Sequence, residues 1–314
     1  MSNTAAPADS APRPAARALV LEHPIFFIGM PRSGTTVIFE AFAAHPRLGW
    51  LSNYSNRFPS FPEIAAVHRV FGRARGRKDQ DLTLPVLSRL FPEPSESYVV
   101  WERFFGSAFS YSFLENDKPA PRQIEDCRRY MSRLLRAERK GRLCVKFTGP
   151  PRKRFLEAVF PGALFVNVVR DPRAVVASLL SVQFWKERGM SRPFWEGGLT
   201  EQELETWRSA DSSPAVLAAL LWCAVCRATE RETTDSSAPL LSIRYESFVD
   251  DPLGETKRLL TFCQLNDASA VERYVSLQAY RRDTNAKFSR MLSAKDVRQI
   301  ERITESYRQV YCYE

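Results

Sequence analysis

The apolar residues of this chain fall into two patterns. Ile25-Phe26-Phe27-Ile28, Leu143-Cys144-Val145-Lys146-Phe147, Leu164 to Val169 and Leu240 to Arg244 are short, nearly continuous apolar runs bounded by Gly, Pro or charged residues. Such runs predict strands buried on both faces, as in parallel sheets. Between them the period lengthens towards that of a helix. Thr35 to Ala44 carries Val37, Ile38, Ala41 and Phe42 and stops before Pro46, which disfavours helical geometry at His45. Asp126 to Lys140 is a basic amphipathic helix, and Arg152 to Phe160 is another. Asp171-Pro172 and Asp251-Pro252 each pair a good N-cap with a good first helical residue. Pro214 to Glu232 is a long apolar helix, Ala268 to Leu277 a shorter one, and Ser293 caps a last one running to Val310.

Strands alternating with helices four times over predict an α/β fold, a parallel sheet flanked by helices on both faces. No internal repeat is evident. Residues 1–22, rich in Ala, Pro and Ser, read as a disordered tail, and residues 23–314 as one domain. Three stretches lack clear periodicity. Leu48 to Pro62 is irregular, with a helix expected from Glu63 to His68. Pro85 to Glu125 is hard to parse and holds Trp101, Phe104, Phe105, Phe109, Tyr111 and Phe113. Gln183 to Ser213 carries Phe184, Trp185, Phe194, Trp195 and Trp207, which suits a lid or a substrate wall.

The candidate chemistry centres on Gly29-Met30-Pro31-Arg32-Ser33-Gly34-Thr35-Thr36, between the first strand and the first helix. Its glycines let backbone come close to a ligand. The loop N–H groups and the positive end of the helix dipole make an anion site there, most often for phosphate. The glycine spacing is that of a P-loop, but Thr35 stands where the P-loop lysine would be and the cation is Arg32, inside the loop. A triphosphate needs that lysine on its β- and γ-phosphates. The loop therefore reads as P-loop-like, a cradle for a different phosphate.

The segment Pro31 to Thr36 resembles the 5′-phosphosulfate loop of sulfotransferases that use 3′-phosphoadenosine 5′-phosphosulfate (PAPS). A second segment, from Leu164 through Arg170-Asp171-Pro172-Arg173 to Ser178, resembles the 3′-phosphate-binding strand and helix of the same family. Arg170 at a strand end and Ser178 on the following helix suit a phosphate monoester. Lys146-Phe147-Thr148-Gly149-Pro150 is similar to the family's lysine strand. Tyr245-Glu246 resembles its Tyr-Glu segment, where the tyrosine lies by the adenine. Arg281-Arg282 through Lys287-Phe288 takes the place of its late basic loop, although Phe288 stands for tryptophan and the usual glycine is missing.

The resemblance implies transfer of a sulfuryl group from PAPS to a hydroxyl or amine, without a metal, leaving adenosine 3′,5′-bisphosphate. Arg32, Ser33, Gly34, Thr35, Thr36, Arg170, Ser178, Tyr245, Arg281 and Arg282 would hold the donor, and Arg32 and Lys146 would act on its reacting end. The base is less defined. Where some members carry histidine, two residues after the strand lysine, this chain has Thr148, which cannot serve near neutral pH. Glu63 is the first candidate, with His68 and Glu102 as alternatives. Three rival readings remain, a nucleotide-binding protein without catalysis, a P-loop kinase-like phosphotransferase and a nucleic-acid binder.

Composition adds bounds. The 314 residues are 44% hydrophobic and 26% charged, so the chain is globular. A formal charge of +9 suits an anionic ligand but does not choose among ligands. No helix-turn-helix or RNP-type signature points to nucleic acid. Basic residues 72–79 read as a solvated loop. The six cysteines include Cys223-x-x-Cys226, but that pair lies in an apolar helix without a companion histidine, as buried thiols would. Their thin spread fits a reducing compartment. No stretch of eighteen apolar residues occurs. A cytoplasmic enzyme acting on a small-molecule, carbohydrate or lipid-linked acceptor is the expectation.

Overall fold

The computed structural model describes residues 21–71, 91–280, 285 and 287–313. The strands are β1 (Ile25–Ile28), β2 (Leu48–Gly49), β3 (Arg142–Lys146), β4 (Leu164–Val169) and β5 (Leu240–Arg244). The helices before β3 are α1 (Thr35–Ala43), α2 (Asn53–Arg57), α3 (Val67–Phe71), α4 (Tyr98–Phe105), α5 (Ala108–Tyr111) and α6 (Pro121–Glu138), with a 3-10 turn at Pro62–Ala66. Between β3 and β5 come α7 (Lys153–Val159), α8 (Pro172–Ser181), α9 (Gln183–Arg188), α10 (Glu201–Ser209) and α11 (Pro214–Thr234). After β5 come α12 (Tyr245–Asp250), α13 (Pro252–Phe262), α14 (Ser269–Ser276), α15 (Phe288–Met291) and α16 (Ala294–Val310).

The strands form one five-stranded sheet in the order β2-β3-β1-β4-β5. Every pairing is parallel, with Ile25 opposite both Cys144 and Leu164. The four strands expected from the apolar runs are present; β2 is an addition, two residues long, inside a stretch read as irregular. After β1 the chain goes to the edge at β2, fills in β3 between β2 and β1, then crosses over to lay down β4 and β5 on the other side. That reversal makes the carboxyl ends of β1, β3 and β4 the ligand crevice expected of an open parallel sheet.

Alternation along β1 sends its side chains to opposite faces. Phe26 and Ile28 enter a core shared with Trp101, Met131, Leu134, Leu135, Phe155 and Phe165. Ile25 and Phe27 enter a second one, with Ile38, Phe39 and Phe42 of α1 and Leu259 and Leu260 of α13. A third core forms where α8, α11 and α16 meet, around Val175, Leu217, Trp222 and Ile300. Cys223 and Cys226 are buried there on α11, where burial pushes the Cys223 thiol up to about 12.

Two expectations change. Gln183 to Ser213 is not an aperiodic loop but contains α9 and α10, the latter opened by a Thr200–Glu203 capping box. The basic helix is longer than expected at its start, beginning at Pro121. Residues 1–20 of the expected tail and the basic residues 72–79 lie outside the described residues, and Leu21 packs into the first core.

Candidate active site

Chain geometry at the crevice requires the two loop glycines. Gly29 has φ +144°, and a Cβ there would lie 2.3 Å from the Val168 carbonyl oxygen. Gly34 has φ +87°, and a Cβ there would lie 2.1 Å from the Tyr245 ring. Only a residue without Cβ lets β4 and α12 approach the loop this closely. Arg32 is left-handed as well, at φ +71°, although it is not glycine. The Ser33 N–H donates to the Met30 carbonyl at 3.1 Å and closes the turn.

The loop side chains divide between two directions. Arg32 Nε donates to Ser178 Oγ on α8 at 2.9 Å, so the first and second motifs of the sequence meet directly. Ser33 Oγ is buried and has no hydrogen-bond partner among the described residues. A buried hydroxyl without a partner is costly to leave so, which marks an acceptor site for its proton. Thr36 Oγ1 accepts from Lys146 Nζ at 2.8 Å, which links the start of α1 to the end of β3.

Arg170 completes the far side. Its Nη1 donates to the Arg32 carbonyl at 3.1 Å and its Nε to Asn285 Oδ1 at 2.9 Å. The guanidinium lies 4.7 Å over the Tyr245 ring, a cation–π arrangement that also fixes the ring against Gly34. Asn285 in turn donates to Glu246 at 2.6 Å, and the Asp171 N–H donates to the same carboxylate at 3.1 Å. Asp171 caps α8 by accepting from the Arg173 N–H at 2.8 Å. Arg32, Arg170, Ser178 and Tyr245 are thus joined by direct contacts. Arg281 and Arg282 lie outside the described residues.

Beside Arg32 a cavity of about 330 Å³ opens. Arg32, Thr35 and Thr36 line one end of it. Tyr98, Tyr111, Phe184, Phe194 and Trp195 supply aromatic walls, drawn from the two stretches whose sequence was least periodic. Glu96, Glu102 and Thr148 supply polar groups. Glu96 is the residue sequence reasoning missed. Its carboxylate lies 3.1 Å from Lys146 Nζ, and both of its oxygens lie 3.1 Å from Thr148 Oγ1. Thr148 is held in turn by Tyr98, whose hydroxyl donates to its carbonyl at 2.7 Å and accepts from its N–H at 3.2 Å. Burial pushes the Tyr98 phenol well up, so it stays protonated and can donate.

The segment bearing Glu96 is pinned from both sides. The Ser95 N–H donates to the Leu51 carbonyl at 2.9 Å, and Ser97 Oγ donates to the Ser52 carbonyl at 3.1 Å. Nothing in the local pattern marked Glu96. Its only signal was its position one residue before the Ser97 N-cap of α4, in a proline-rich stretch.

Glu63, the first candidate for the base, is not among the residues lining the cavity. It sits in the 3-10 turn, where Arg133 Nε of α6 donates to it at 2.7 Å. That hydrogen bond holds its carboxyl below the usual range, which suits a surface ion pair rather than a proton acceptor. His68 is buried, with Nδ1 2.5 Å from Glu138 and Nε2 2.9 Å from Ser52, and it stacks on Trp50. It too is absent from the cavity lining. Glu102, the other alternative, does line it. Glu40 accepts from the Tyr274 hydroxyl at 3.1 Å and serves helix packing.

A sequence model described as "Sulfotransferase family" matches residues 24–269 of this chain. The chain belongs to the sulfotransferase family. The stretch matched contains β1 to β5, the Arg32 loop, Lys146, Arg170, Ser178 and Tyr245. Among curated proteins, the omega-hydroxy-beta-dihydromenaquinone-9 sulfotransferase Stf3 of Mycobacterium bovis and that of Mycobacterium tuberculosis are each 24% identical over 281 residues. That alignment covers 81% of this chain and 66% of each relative, so the chain spans just under two thirds of their length. Among solved structures, the fold is similar to that of sulfotransferase STF9 from Mycobacterium avium, with a TM-score of 0.55 at 19% identity, over 94% of this chain and 78% of that one. It is also similar to sulfotransferase STF1 from Mycobacterium tuberculosis, with a TM-score of 0.53 at 16% identity, over 91% and 76% of the two chains. The expected α/β sulfotransferase fold is therefore the observed one.

Proposed function

We propose that the protein is a PAPS-dependent sulfotransferase that moves a sulfuryl group to a hydroxyl of a small acceptor with an apolar or aromatic body. The observation that carries this reading is the continuous set Ser178–Arg32–loop–Thr36–Lys146–Glu96, which joins an anion site to a carboxylate in an aromatic-walled cavity. The fit to the donor rests on the glycine cradle, the unpartnered Ser33 hydroxyl and the Arg170–Tyr245 stack.

Bound PAPS supplies the sulfuryl group. Arg170 and Ser178 offer N–H and O–H donors to a 3′-phosphate, and Tyr245 offers a ring beside it. The loop N–H groups, Ser33, Thr35 and Thr36 hold the phosphosulfate end. Arg32 and Lys146 stabilise the negative charge left on the bridging oxygen as the S–O bond breaks. Glu96, rather than Glu63, accepts the proton that the acceptor hydroxyl loses as its oxygen bonds to sulfur. The aromatic walls exclude water and hold the acceptor in line.

The acceptor named for the mycobacterial relatives supports an apolar body bearing a terminal hydroxyl. For location, no helix among the described residues is long and apolar enough to cross a membrane. Five buried cysteines and the exposed Cys312 are all free thiols, which supports a reducing, cytoplasmic setting.

Calorimetric titration with adenosine 3′,5′-bisphosphate, beside ATP and 5′-AMP, tests the reading on wild type and Arg170→Ala. Preferential binding of the bisphosphate that depends on Arg170 supports it. Equal binding of ATP, with no effect of Arg170→Ala, overturns it.

A further inference from the structure

Among the described residues, two carboxylates line the acceptor cavity, and sulfuryl transfer uses one. Glu96 is engaged by Lys146 and Thr148. Glu102, on α4, has no hydrogen-bond or ion-pair partner among the described residues, although it is only partly exposed. The arginine next to it in sequence, and those at other parts of the cavity wall, have partners of their own. Arg103, its neighbour on α4, donates to Ser60 Oγ at 2.9 Å. Arg188 donates to the Phe194 carbonyl at 3.0 Å and lies 3.4 Å from Glu196, with its guanidinium 4.4 Å over the Tyr111 ring. Arg32 donates to Ser178 and, in the proposed function, faces the donor.

A carboxylate without a partner in an aromatic-walled cavity is free to pair with a ligand that supplies the counter-charge. It also repels an anionic acceptor, and the sulfuryl donor is itself anionic. Aromatic faces beside a carboxylate are the surroundings that stabilise an organic ammonium, through ring quadrupoles and a charged hydrogen bond together. The wall already shows this affinity, since Tyr111 carries the Arg188 guanidinium on its ring.

We propose that Glu102 is the anionic half of an ammonium subsite, and that the acceptor carries a protonated amine beside its apolar body, apart from the hydroxyl that is sulfated. The inference rests on the sulfuryl-transfer reading. Glu102 sets specificity; Glu96 remains the base.

The test is binding rather than turnover. The protein is saturated with adenosine 3′,5′-bisphosphate and titrated at neutral pH with 2-phenylethylamine, which is cationic, 2-phenylethanol, which is neutral, and 3-phenylpropionate, which is anionic. The amine should bind about tenfold tighter than the alcohol, the advantage of one charged pair in a partly desolvated site, and the carboxylate should bind weakest. The preference should fall to about twofold or less in Glu102→Gln and in Glu102→Ala; neither change breaks a hydrogen bond or ion pair among the described residues. Equal affinity for amine and alcohol, no measurable binding of either, or a preference that survives both substitutions overturns the inference. Failure of the bisphosphate itself to bind overturns the sulfuryl-transfer reading instead, and the two failures are read in separate titrations.

Discussion

The Lys146 ammonium lies 3.1 Å from the Glu96 carboxylate, and this pair ties the end of β3 to the segment that enters α4. Lys146 also donates to Thr36 at the start of α1, so a single side chain spans the phosphate loop and the acceptor cavity. If Glu96 is the base, Glu96→Gln keeps the shape and a hydrogen-bonding oxygen but loses proton-accepting power. The rate of sulfuryl transfer from PAPS should fall about 10²- to 10³-fold, while the affinity for adenosine 3′,5′-bisphosphate changes little. Glu63→Gln should leave the rate within about twofold, since it breaks only an exposed pair with Arg133. The reverse ranking in a labelled-PAPS transfer assay would return the role to Glu63.

Arg170 reaches three separate elements, the Arg32 carbonyl, Asn285 and the face of Tyr245. Arg170→Ala should weaken the bisphosphate several-hundred-fold, about 3–4 kcal/mol, because a charged, hydrogen-bonding partner of the phosphate is removed. Calorimetry gives the number directly. A tenfold loss or less would mean that Arg170 serves the loop rather than the ligand.

Gly34 carries two constraints at once. A Cβ there meets both an unfavourable φ and the Tyr245 ring. Gly34→Ala should cost about 2–4 kcal/mol, the left-handed strain plus overpacking. It should lower the melting temperature by several degrees and abolish bisphosphate binding. Gly34→Ala combined with Tyr245→Ala should not restore binding, since the buried ring that carries Arg170 is lost along with the clash.

On α11, Glu232 accepts from the Arg154 N–H at 2.8 Å, and burial pushes its carboxyl up to about 7. The folded protein therefore holds a proton that the unfolded chain, near 4.5, releases earlier. Stability from this group is fully present below about pH 4.5 and is lost as pH rises through about 7. The loss amounts to about 3 kcal/mol at most. Glu232→Gln removes that dependence while keeping an acceptor for Arg154, so its melting temperature should gain on wild type at pH 8 relative to pH 5. A difference that does not change with pH would place the carboxyl near its ordinary value.

Some of this architecture is written in short windows of sequence. The runs at β1, β3, β4 and β5, the glycine pair around Arg32, and the Asp171-Pro172 and Asp251-Pro252 helix starts each depend on neighbours a few residues away. Backbone conformation and burial are set there by local periodicity and capping, and the structure bears those elements out. The juxtaposition of Arg32 with Ser178 follows from two recognisable motifs placed on adjacent strands.

The acceptor side could not be read in that way. Whether a glutamate is a base or a surface ion pair depends on what packs beside it, and for Glu63 that is Arg133 on a helix seventy positions later. Glu96 acquires its place because Leu51 and Ser52 hold its segment and because β3 ends at Lys146 beside it. The cavity's aromatic walls come from α4, α5, α9 and the segment following α9, regions with no shared local pattern. Local sequence determined four of the five strands and the glycine loop, because strand burial and glycine turns are properties of adjacent residues. Tertiary structure alone decided which carboxylates line the cavity beside the Arg32 loop, because proximity between residues distant along the chain is created only when the elements pack.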